Sequence, residues 1–157
     1  MSLYEPEQIS AYLESVLDDT ALLALLPGGV HETDVADGSA SPGDTRARQT
    51  TPYLVYSCLA SAGDTQGAGG TILWSELDYA IQVMHRPGEV AEAREALRLA
   101  QGLLEGMEVD VAESGGISAH SIVVRGAGPL PRTADRETGG RLIYAEGRRW
   151  KIRLQRI

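Results

Sequence analysis

Residues 52–60 (PYLVYSCLA) and 71–86 (TILWSELDYAIQVMHR) are the strongest constraint on what this chain can fold into. In the first run both alternations are apolar, with Tyr53, Val55 and Leu59 on one side and Leu54, Tyr56 and Cys58 on the other. A strand covered on both faces reads this way. In the second, Leu73, Leu77, Tyr79, Ile81 and Val83 lie on one face. Glu76, Asp78 and Gln82 interrupt the opposite face, which carries Ile72, Trp74, Ala80 and Met84. The connection between them (61–70, SAGDTQGAGG) is rich in glycine, so the pair predicts a β-hairpin.

Two helices flank it. Over residues 5–26, Ile9, Tyr12, Leu13, Val16, Leu17 and Leu23 recur at three- and four-residue spacing, and Pro27-Gly28-Gly29 ends the run. Residues 89–105 repeat the pattern with Val90, Ala93, Leu97, Ala100 and Leu104, stopped by Gly106. Further strands are expected at 30–32, 107–111 and 118–125, and at 141–145 and 148–157. Glu146-Gly147 is either a tight turn between the last two or a bulge in one long strand. Residues 33–51 and 126–140, dominated by Gly, Ser, Pro, Asp, Thr and Arg, read as long loops. The expected fold class is α+β, a mainly antiparallel sheet packed by two amphipathic helices with long flexible loops. With 157 residues and no dividing linker, residues 1–157 are expected to form a single domain.

Charge is unevenly spread. Residues 141–157 have a net charge of +5, whereas the remaining 140 have −13, within a total of −8. In the last strand Arg149, Lys151 and Arg153 alternate with Trp150, Ile152 and Leu154, giving one basic and one buried face. Those three cations are the candidate subunit-interface residues. The acidic body argues against tight DNA binding, since DNA-binding domains usually carry a basic footprint. Like charge would instead let DNA pass along a conduit without being gripped. A solvated acidic body with one basic strand is the plainer reading of the same distribution.

Catalytic chemistry finds little support. His31, His85 and His120 stand far apart, none with a second His or Cys at metal-ligand spacing. Each is expected at a surface or interface. Cys58 sits in an apolar strand, where cysteine acts as a small buried hydrophobe, and Ser57 lacks the Gly-x-Ser-x-Gly turn of hydrolases. Residues 63–70 carry no Gly-Lys-Ser/Thr and precede a strand rather than a helix, unlike a phosphate-cradling loop. Asp34, Asp37 and Asp44 lack the spacing and closing Glu of a calcium loop. No enzyme activity, metal or cofactor is expected. No apolar run reaches membrane-spanning length. The first seven residues carry two acids and no base, unlike a secretory signal. The single cysteine leaves a cytoplasmic setting as the expectation.

The order of these pieces resembles the tail-terminator (minor tail) proteins of long-tailed bacteriophages, of the lambda protein U type. The resemblance is carried along nearly the whole chain. An N-terminal helix ends in an apolar cluster and a Gly-Gly-Val step (21–31, ALLALLPGGVH). A polar loop leads to a Thr-Pro-Tyr-Leu-Val-Tyr strand (51–56). A long strand with Trp74 and Tyr79 follows, then an amphipathic helix at 91–104 and a basic last strand. The resemblance implies a hexameric ring at the head-proximal end of the tail tube, assembled in the host cytoplasm and carried in the virion. Its partners would be other copies of itself, the tail-tube protein and a head–tail connector or head-completion protein. DNA would pass through without specific binding, and no membrane is involved. Another head–tail connector, neck or tail-tube subunit is the alternative within that setting. A small cytoplasmic binding module is the alternative outside it.

Overall fold

A computed structural model describes the backbone of residues 5–32, 50–66, 72–111, 120–136 and 142–156. Its elements run α1 (Glu5–Leu17), α2 (Thr20–Leu25), β1 (Val30–Glu32), β2 (Tyr53–Gln66), β3 (Ile72–His85), α3 (Val90–Leu104), β4 (Glu108–Val111), β5 (His120–Pro129), β6 (Thr133–Arg136) and β7 (Leu142–Arg156). The strands form one seven-stranded sheet in the order β1-β2-β3-β7-β5-β4, with β6 also pairing to β7. Every pairing is antiparallel except β1 with β2. The fold is α+β, with helices packed on a mainly antiparallel sheet.

One sheet face carries the core. Leu77, Tyr79, Ile81 and Val83 of β3 stand directly opposite Ile152, Trp150, Arg148 and Glu146 of β7. Leu54 and Tyr56 of β2 extend the apolar layer on one side, Ile122 and Val124 of β5 on the other. Ile9, Leu13 and Leu17 of α1, with Leu22 and Leu26 around α2, cover it from above. From α3 the buried set is Ala93, Ala96, Ala100 and Leu104, with Leu97 partly covered. Three alanines on one stripe bring the α3 backbone close to the layers it packs on.

The N-terminal helix is two helices rather than one. Asp19 adopts extended backbone angles and its carboxylate accepts from the Leu22 amide at 3.0 Å, a cap that restarts the helix as α2. The restart turns Leu22 inward in place of Leu23. α3 begins and ends close to the expected bounds. Gly106 takes a left-handed φ of 71° just beyond its C-terminus, an angle that an L side chain disfavours.

Three strands exceed the sequence expectation. β2 continues to Gln66 through register shifts after Cys58, Ser61 and Thr65. The segment 126–140 is not one loop. β5 runs on to Pro129 and β6 occupies Thr133–Arg136. Its glycines fit the sheet because a Cβ at Gly126 would lie 2.9 Å from a Glu105 carboxylate oxygen, Gly128 takes a positive φ of 112°, and an irregularity between the two absorbs the extra residue. β7 is unbroken, and its pairing with β3 keeps register from Tyr144 to Gln155. Gly147 therefore marks neither a turn nor a bulge against β3 but a close approach. A Cβ there would lie 2.0 Å from the Ile81 carbonyl oxygen. The loop expected at 33–51 lies almost wholly outside the described residues, as does the hairpin tip at 67–71.

Candidate assembly interface

Alternation along β3 and β7 sends Glu76, Asp78, Arg149, Lys151 and Arg153 to the sheet face opposite the helices. The three candidate cations do share one row, and β3 supplies carboxylates to meet them. Arg149 Nη2 lies 3.2 Å from Asp78 Oδ2. Lys151 Nζ and Arg153 Nη2 lie 3.5 and 3.6 Å from the two oxygens of Glu76. Arg153 also stacks on the Trp74 ring, 4.9 Å from its centroid. The basic cation side chains are 43–51 % exposed, so each pair contributes at most about 1 kcal/mol.

β5 adds a fourth cation. Arg125 is the register partner of Lys151, is exposed, and has no acidic partner among the described residues. Arg125, Lys151 and Arg153 border a depression of about 300 Å³ whose other walls are Val123, Gly126, Ala127 and Glu76. Its lining holds three cations against one carboxylate. Sequence reasoning missed Arg125 because its partner strand was not known. The interruptions at Glu76 and Asp78 were visible, and antiparallel pairing would have aligned them with the basic strand.

At the other end of the sheet, α1, α2 and β1 enclose a second depression of about 460 Å³. Leu17, Leu23 and Val30 form its apolar part, and Glu14 and Asp18 stand at its rim, both exposed. Neither carboxylate has a basic partner among the described residues. The nearby Tyr56 hydroxyl is held above the ordinary tyrosine range, first by burial and then by Glu32 and Glu14.

The histidines take other places. His85 is fully buried within the chain, unlike the surface or interface position expected, because its odd-numbered register on β3 points it to the helix face. Its Nε2 donates to Glu146 at 2.8 Å. Glu146 also lies 3.7 Å from Arg94 and 3.6 Å from Arg132, whose guanidinium sits 4.1 Å over the Tyr144 ring. This cluster ties β3, β7 and α3 to the segment before β6. His31, half-buried, donates to the Gly28 carbonyl at 2.7 Å and meets Tyr53 edge-on. His120 lies on β5, and its side chain is outside the described set.

Cys58 is exposed rather than buried. Double-sided burial of β2 ends at Tyr56, where β1 also stops pairing with it, and Leu59 is 52 % exposed. Among the described residues no three His, Cys, Asp or Glu side chains are grouped to hold a metal ion, and no helix is long and apolar enough to cross a membrane.

No protein-family model matches the sequence, and no curated protein matches it. A likeness exists at the level of structure. A chain of the virion of a native gene transfer agent particle superposes with a TM-score of 0.53 over 91 % of this chain and 91 % of its own length, at 18 % identity. The similarity is one of fold, and it runs nearly end to end.

Proposed function

We propose that this protein is a structural subunit of a phage-like virion, and that it serves as the tail terminator: a six-membered ring on the head-proximal end of the tail tube. The observation that carries the reading is the near-complete structural likeness to a chain of a gene transfer agent virion. The order of elements that resembles the tail terminators points the same way. The role is mechanical rather than catalytic. A ring closes because each copy satisfies its neighbour through two different surfaces, and nothing is left over for further growth. One ring face would then stop tube polymerisation, and the other would receive the connector of the filled head.

The acidic body suits a passage for DNA, since phosphates are repelled rather than held. The test is omission. Tails assembled without this protein should overgrow into tubes of uneven length, and the heads should remain unattached. Adding the purified protein should restore uniform tails. Tubes of normal length that lack only the head would assign the protein to a neighbouring connector station instead.

A further inference from the structure

The two depressions described above are complementary in charge and sit at opposite ends of the sheet. One lies at the β1 end, beneath α1 and α2. The other lies on β5 and β7, toward the β4 end. Residues 5–32 contain six carboxylates and no Lys or Arg. The rim charges Glu14 and Asp18 are exposed and lack a basic partner among the described residues. Around the second depression, Arg125 has no acidic partner among the described residues, and Lys151 and Arg153 divide one glutamate between them. Each depression also has apolar walls, Leu17, Leu23 and Val30 in one, Val123 and Ala127 in the other.

We propose that neighbouring copies meet head to tail through these surfaces, with Glu14 and Asp18 of one copy seated against Arg125, Lys151 and Arg153 of the next. The inference rests on the ring reading and names the junction that closes it. Two unlike patches on one chain make a heterologous contact, the kind that closes a ring when the rotation between copies permits. Apolar walls supply the burial, and the charges set register and reject the reversed arrangement. The occupant is a second copy rather than DNA, because the cationic patch belongs to a chain whose own N-terminal helices carry the matching excess of acid.

A charge-swap experiment on the full-length protein tests it. Arg125→Glu with Lys151→Glu, which turns the cationic lining acidic, and Glu14→Arg with Asp18→Arg, should each raise the concentration needed for association by at least about tenfold in sedimentation velocity, since like charges across an interface cost several kcal/mol. An equimolar mixture of the two variants should associate as the wild type does, because every junction of an alternating ring is again complementary. All substituted positions are exposed, and thermal melts of each variant check that the fold is kept. Assembly of both charge-swapped variants at the wild-type concentration would overturn the junction while leaving the ring standing. A wild type that stays monomeric at every concentration and on tubes would overturn both. Duplex DNA bound by the wild type and lost in the Arg125→Glu, Lys151→Glu variant, with assembly unchanged, would assign the patch to phosphates and overturn the proposal.

Discussion

Tyr79 is buried beneath the helix layer, and burial pushes its hydroxyl up to about 12 despite a hydrogen bond with Ser10 that acts the other way. A folded-state value above the unfolded one, 10.0, means that the folded protein holds this proton more tightly. The stabilisation is complete below pH 10 and is lost as the pH rises toward about 12. Tyr12 and Tyr56 are shifted in the same direction by burial. Urea-unfolding midpoints measured across that window should therefore fall more steeply for the wild type than for Tyr79→Phe. Equal slopes would show that the hydroxyl titrates alike in both states. At the same scale, Glu146 holds the cluster through one contact above the others. Arg94 and Arg132 are 64 % and 43 % exposed, so their pairs with it contribute little, whereas the bond to buried His85 is shielded from water.

Among the elements, the strands and helices that carry a long apolar periodicity were legible from sequence. The β2–β3 hairpin, α3 and the two-faced β7 lie where their patterns put them, because a buried face leaves a regular imprint. What the pattern could not resolve depends on partners distant in sequence. Gly126 and Gly128 read as loop residues and prove to be strand, since what favours glycine there, the Glu105 carboxylate beside Gly126 and the positive φ of Gly128, shows only once the chain is folded. Cys58 read as buried because the apolar alternation gives no sign of where the β1 cover ends. His85 and Glu146, 61 residues apart, meet only through the β3–β7 register. The break between α1 and α2 was written in Asp18-Asp19, though continuous periodicity hid it. Asp19→Ala should remove the cap on α2 and lower the unfolding free energy by about 1 kcal/mol, read from chemical denaturation. No change would mean that α2 is held by Leu22 and Leu26 packing alone.

For the molecule as a whole, the charge separation seen in sequence has become a matter of faces. Arg149, Lys151 and Arg153 line the sheet face away from the helices, partly matched by Glu76 and Asp78 of their own chain. The basic strand is thus less of a bare patch than its sequence suggests, and the excess positive charge gathers around Arg125. The acidic excess collects at the α1 end. Two unlike, charge-complementary surfaces at the two ends of the sheet are what the proposed head-to-tail junction requires. The most direct test of that account is electron microscopy of the purified protein, alone and mixed with tail tubes of the phage type. The account predicts six-fold rings, seated at one end of each tube and absent from the other. A protein that stays monomeric and leaves both tube ends bare would contradict it.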